Sequence, residues 1–254
     1  MSSTSSSAAA GGIISEAARL EALRNVCTKY SIKKGNVSKL RKLEGIELVL
    51  LLDDSGSMHH KMNDGGKEVT RWDVLRQLAS IACEVGTALE PKGVDVHFLN
   101  RAPVLGVHDA ELLNATFSKE AYGDTPLTEK LNELLTHYKA AIAEHRLLIV
   151  IATDGKPNGG HEAFTAAAKA RPKNVFLSLI ACTDDKAAVE YLDELDGEEG
   201  CNVSEAYVAE RDEIQGIHGK DFAFSFGDYV CKLLLGSIDH ETHDLTRDPK
   251  EDKE

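Results

Sequence analysis

The sequence has little that would fix it in a membrane, staple it with disulfides or draw it to nucleic acid. Its five cysteines, Cys27, Cys83, Cys182, Cys201 and Cys231, are odd in number and include no Cys-x-x-Cys pair. That composition is neither a disulfide framework nor a zinc pattern, and reduced thiols in a cytoplasmic protein are expected. No apolar run approaches the ~18 residues needed to cross a bilayer. The first residues have neither the apolar stretch of a signal peptide nor the Met-Gly of a myristoylation site, so the sequons at Asn36, Asn114 and Asn202 are read as chance. Basic residues are also scarce: 29 Lys and Arg face 42 Asp and Glu, giving a formal charge of −13. Phosphate backbones and anionic lipid surfaces would be repelled. Neither a P-loop nor a Gly-x-Gly-x-x-Gly motif occurs, so nucleotide sites are not expected.

What is present is an ordinary apolar fraction, 42%, over 254 residues, enough for one α/β domain with a sizeable core. Residues 1–12 are Ser, Ala and Gly and are expected to be disordered. Residues 13–44 are read as a helical segment, with Leu20, Leu23, Cys27 and Tyr30 on one face, and a basic linker holding Lys33, Lys34, Lys39, Arg41 and Lys42. That basic run is open to two readings, a solvated face or a docking patch. Residues 45–237 form the domain proper. Ile46 to Leu52 is almost continuously apolar, as suits a strand buried on both faces of a parallel sheet. A polar loop, 53–66, leads to a helix over 70–89 with a wide apolar face, and Thr70 with Asp73 resembles a capping box. Further strands are expected at 94–99, 103–107 (a short edge strand), 147–152, 175–182 and 203–208. Helices are expected at 126–144, 161–170, 186–195 and 225–235. Such alternation predicts a doubly wound, mostly parallel central sheet with one short antiparallel edge strand and helices on both faces. Residues 238–254 form a charged tail, expected to be disordered.

In an open α/β sheet, ligands bind beyond the C-terminal strand ends. Three sequence pieces fall there and carry oxygen ligands: Asp53-Asp54-Ser55-Gly56-Ser57 after the first strand, Gly123-Asp124-Thr125-Pro126-Leu127 before a helix, and Thr153-Asp154-Gly155 after the strongest strand. Each has a plainer explanation. Ser55 and Ser57 suit any loop, Thr125 with Pro126 suits a helix N-cap, and Asp154-Gly155 suits a turn. Their coincidence at one sheet edge is what singles them out.

Asp-x-Ser-x-Ser, then Thr, then Asp closely resembles the metal-ion-dependent adhesion site of von Willebrand factor A domains, over roughly 46–236. The run Asp53 to Met58 looks like the intracellular branch of that family. The resemblance implies a Rossmann-like fold and one Mg²⁺, with Mn²⁺ possible, held by Asp53, Ser55, Ser57, Thr125 and Asp154. It implies that the two Ser and the Thr bind directly while one or both Asp act through water. It also implies a protein partner presenting Asp or Glu as the last ligand, and a binding role rather than catalysis. The chemistry agrees, because carboxylates and hydroxyls suit a hard cation and contain nothing soft. Around the site His59, His60, Lys61, Tyr122, Asp124, Lys156 and Asn158 would form the rim that chooses the partner. Adjacent His59 and His60 are read as a solvated pair, since loop neighbours rarely aim at one ion.

Two other classes compete. A metal-dependent phosphatase of the haloacid dehalogenase type needs a second Asp where Ser55 stands, and an esterase needs a C-terminal Asp-x-x-His, which none of the ten His provides. A metal-free scaffold could have kept the motif. Two carboxylates at one edge are expected to repel in the apo protein, so replacing both with Asn should stabilise it. Oligomeric state is not legible in the sequence.

Overall fold

The computed structural model describes residues 15–64, 67–90, 92–183 and 185–239. Residues 1–12 and the tail beyond Asp239 therefore lie outside the described residues, as do the expectations placed on them.

Helix α1 (Glu16–Lys29) starts at Ser15, whose hydroxyl accepts the Ala18 N–H. After the short α2 (Asn36–Leu40), β1 (Ile46–Leu52) runs straight to the candidate site. The expected polar loop instead contains a two-stranded antiparallel hairpin, β2 (Lys61–Asp64) with β3 (Lys67–Thr70). It ends at α3 (Arg71–Leu89), where the Thr70 hydroxyl accepts the Asp73 N–H and the Asp73 carboxylate accepts the Thr70 N–H. The chain continues through β4 (Val94–Phe98), β5 (Val104–Val107) and α4 (Asn114–Phe117). The single helix expected at 126–144 is two, α5 (Leu127–His137) and α6 (Lys139–Glu144), with Tyr138 at the break. There its hydroxyl donates to Asp95 at 2.7 Å.

Strand β6 (Arg146–Thr153), α7 (Glu162–Lys169), β7 (Val175–Ala181) and the four-residue α8 (Lys186–Val189) follow. Residues Glu190–Leu195 continue α8 as 3₁₀ turns rather than as α-helix. The last strand, β8 (Cys201–Ser204), is shorter and earlier than expected, and Tyr207 opens a helix absent from the sequence reading, α9 (Tyr207–His218). Helix α10 (Phe226–Leu235) closes the fold with a Ser225–Asp228 capping box.

The main sheet has the order β5-β4-β1-β6-β7-β8, parallel except for β5, which pairs antiparallel with β4. From β1 the chain winds outward first through β4 and later through β6, so strand order reverses between β1 and β6. A crevice opens at such a switch point, outside the carboxyl ends of the two strands. The alternation of side chains divides β1 between two cores. Leu50 and Leu52 pack with α1, α3 and α10, while Val49 and Leu51 pack with α5, α6 and α7. The α/β class with helices on both faces is thus as expected.

Helix α1 is part of the first face: Leu23 and Cys27 join that core, and Lys29 reaches Glu84 of α3 at 2.7 Å. Three residues of the basic run, still partly exposed, make contacts within their own chain. Arg41 pairs with Glu16 and Glu44, Lys42 pairs with Asp239, and the Lys33 ammonium lies 3.6 Å from the Phe222 ring centre. Asp239, grouped with the tail from its sequence, is 6% exposed.

Candidate metal centre at the β1–β6 edge

The end of β1 is extended past Leu52 by Asp53 N–H, which donates to the Ala152 carbonyl of β6 at 2.9 Å. Asp53 and Asp154 therefore leave neighbouring strands side by side, at the switch point. Both are buried, with Asp53 1% and Asp154 3% exposed. Asp53 Oδ1 accepts the Ser55 N–H at 2.8 Å, and its Oδ2 accepts the Thr153 hydroxyl at 2.6 Å. Burial nevertheless pushes the Asp53 carboxyl up to about 6, with these hydrogen bonds pulling the other way and the Asp154 charge adding to the rise. Asp154 is differently placed. Its Oδ1 accepts the Ser57 hydroxyl at 2.7 Å, while its Oδ2 accepts the Arg71 guanidinium at 2.7 Å. Ser57 and Ser55 hydroxyls stand 3.1 Å apart.

Thr125 is carried by a loop stitched to both others. Gly56 N–H donates to the Gly123 carbonyl at 3.2 Å, and Tyr122 N–H donates to the Asp54 carbonyl at 2.6 Å. Asn158 closes the other side: its side chain accepts the Thr125 N–H, and its own N–H donates to the Thr125 carbonyl. Gly123 is required where the first two loops meet, since φ is +93° and a Cβ would lie 2.5 Å from Asn100 Oδ1. The helix-cap reading of Thr125 is corrected here. Helix α5 begins at Leu127, the cap position is Pro126, and no side-chain hydrogen bond caps it. The carbonyl of Thr125 instead accepts the Leu127 N–H in a tight turn, so the cap position falls one residue later than the sequence suggests.

Two arginines absent from the sequence reading, Arg101 through Asp54 and Arg71 through Asp154, hold this edge together. Asp54, fully buried, accepts Asn100 N–H and side-chain N–H on Oδ1 and the Arg101 guanidinium on Oδ2 at 2.5 Å. Arg101 also donates to the Thr116 and Glu120 carbonyls and lies over the Trp72 and Tyr122 rings. The second is Arg71, the first residue of α3. Nothing in the local pattern marks either guanidinium as buried.

On the rim, His59 donates from Nε2 to the Ala121 carbonyl, while His60 Nδ1 faces Arg71 at 3.4 Å. The two imidazoles thus face different groups. Tyr122 is half exposed, its hydroxyl bonded to the Asn100 carbonyl. Among the described residues, no three His, Cys, Asp or Glu side chains are gathered to hold a metal. A cation at this edge would have two carboxylates and would need its other ligands from hydroxyls, carbonyls or water.

Compared by sequence, the chain matches no family model and no curated protein. Among solved structures, it is similar to the manganese-loaded TRAP protein of Plasmodium vivax at 18% identity, over 65% of this chain and 70% of that one, with a TM-score of 0.46. It is also similar to the pilus adhesin SpaC of Lactobacillus rhamnosus GG at 14% identity and a TM-score of 0.44, over 75% of this chain but 31% of the adhesin. Likenesses of this size assign neither an activity nor a ligand.

Proposed function

We propose that this chain is a von Willebrand A-type binding module that holds one Mg²⁺ or Mn²⁺ at the β1–β6 edge and uses it to capture an Asp or Glu side chain of a partner protein. The observation that carries this reading is the convergence of Asp53, Ser55, Ser57 and Asp154, with the Thr125 loop bonded to both neighbouring loops, at the switch point of the sheet. The donor set fits a hard cation. Two hydroxyls and a carboxylate already share hydrogen bonds that an ion would replace, and Asp53 carries a cost of burial that its hydrogen bonds only partly offset and an ion would relieve. When bound, the cation supplies a positive anchor for a carboxylate. Ser55, Ser57 and Thr125 would hold that anchor through hydroxyl oxygens, the last of them free of capping duty, and Asp53 and Asp154 would hold it by charge. On this reading the chain binds rather than catalyses. A reducing, cytoplasmic setting is supported by five thiols that form no disulfide.

Thr125 gives the sharpest test. Because it caps nothing, Thr125→Ala should change stability by less than about 1 kcal/mol. Affinity capture from lysate in Mg²⁺ or EDTA should then recover a partner only with Mg²⁺, equally for the unmodified chain and Thr125→Ser. Recovery should fall at least ~10-fold for Thr125→Ala, the effect of losing one ligating oxygen. Capture unaffected by EDTA, or equal for Ala and Ser, would remove the metal from the mechanism.

A further inference from the structure

We propose that Arg71 is a built-in counter-ion of the metal site, which withholds part of the negative charge of Asp154 from the cation and so leaves the bound ion more attractive to an acidic ligand. This rests on the metal-binding reading above and concerns what tunes that site.

The geometry is specific. Asp154 divides its two oxygens, Oδ1 toward the Ser57 hydroxyl and Oδ2 toward the Arg71 guanidinium, each at 2.7 Å. Arg71 is therefore on the side of the carboxylate away from the hydroxyl pair, behind the ligand rather than in competition with it. It is held there independently. Its other terminal nitrogen donates to the Thr183 hydroxyl at 2.6 Å, and its backbone N–H donates to the His60 carbonyl at 3.0 Å. The capping box immediately before it anchors the first turn of α3. With side-chain exposures of 11% for Arg71 and 0% for Asp154, little water intervenes to screen the pair.

Two consequences follow, of opposite sign. A fixed positive charge on the second oxygen of Asp154 would weaken the protein's hold on a metal. Without it, two full carboxylate charges would neutralise a divalent ion and leave nothing for an incoming carboxylate. With it, part of the Asp154 charge is drawn toward the guanidinium instead of the ion. The hydrogen bond also fixes the rotation of Asp154, as outer partners of metal ligands commonly do.

The test uses the full chain, the metal alone and acetate as a stand-in for the partner's carboxylate. Mg²⁺ affinity is measured by calorimetry, and acetate binding to the Mn²⁺-loaded protein by water-proton relaxation. Melting curves of the apo forms check the fold. Arg71→Gln should bind Mg²⁺ about 10-fold more tightly and acetate several-fold more weakly, the order expected from deleting one nearby charge. Arg71→Lys, which keeps the charge and loses the fork, should stay within about threefold of the unmodified chain for both. Mg²⁺ binding that is unchanged or weaker in a folded Arg71→Gln would overturn the proposal. Should that variant not fold, a shift beyond threefold in Arg71→Lys would overturn it, by placing the effect in hydrogen-bond geometry. An unmodified chain that folds but binds no Mg²⁺ would instead sink the metal reading itself, and this inference with it.

Discussion

Asp53→Asn and Asp154→Asn are expected to move the stability of the apo protein in opposite directions, although both should abolish metal binding. Asp53 is a buried carboxylate whose burial outweighs its hydrogen bonds, so its pKa rises from 3.8 to about 6 on folding. Between those values the native chain binds more protons than the unfolded one, and stability falls as pH rises through the window. At neutral pH the rise corresponds to about 3 kcal/mol of destabilisation. Asn at this position removes the charge but sacrifices part of the bonding to Ser55 and Thr153. A net gain of about 1–2 kcal/mol at about pH 7 is expected, shrinking toward pH 4. Asp154 is the opposite case. Its charge is matched by Arg71 inside the protein, and removing one half of a buried pair strands the other. Asp154→Asn should be about 3 kcal/mol less stable. The double variant should therefore gain little or lose stability, which reverses the expectation from sequence that two repelling carboxylates would be better replaced together. Urea denaturation of the three variants at several pH values in EDTA checks this. Gains of similar size for both single variants would mean that Arg71 does not compensate Asp154.

The second large effect concerns Asp54, the acidic neighbour that a motif reading could take for another ligand. Its carboxylate accepts three hydrogen bonds, two from Asn100 and one from Arg101, and is fully buried with Arg101 9% exposed. Asp54→Ala leaves that guanidinium without its charge partner and frees the end of β4. A loss of about 3–5 kcal/mol is expected, or roughly 10 °C in melting temperature. Asp54→Asn should fall between, because an amide oxygen still serves Asn100. The folded fraction of either variant should bind Mg²⁺ within a few-fold of the unmodified chain. A stable Asp54→Ala that no longer binds metal would move Asp54 from clamp to ligand.

Much of this architecture is legible in the sequence because burial is written there in apolar residues. Ile46–Leu52 and Leu147–Ala152 are near-continuous apolar runs, and both are central parallel strands. Helix α3 declares itself by a broad apolar face and a capping box, and the helix expected at 225–235 is α10. The misses have physical causes. The β2–β3 hairpin is short and polar, with only Met62 and Val69 to suggest alternation. Helix α9 hides its inner face, because beside Ile214 that face buries Glu210, paired with Lys232 at 2.7 Å. A charged residue buried by a distant partner looks like surface in any periodicity. The same blindness covers the candidate site. The motif brought Asp53, Ser55, Ser57 and Asp154 to notice, but Arg71 and Arg101 act through residues 83 and 47 positions away, and no local pattern records such pairing.

The central claim, a divalent cation held by these side chains, is tested most directly by titrating the apo chain with Mn²⁺ and counting free ion by electron paramagnetic resonance. The account predicts one ion bound per chain, displaced by excess Mg²⁺, with the site lost in Asp53→Ala and in Asp154→Ala. An unmodified chain that binds no ion, or alanine variants that bind it as well as the unmodified chain does, would contradict it.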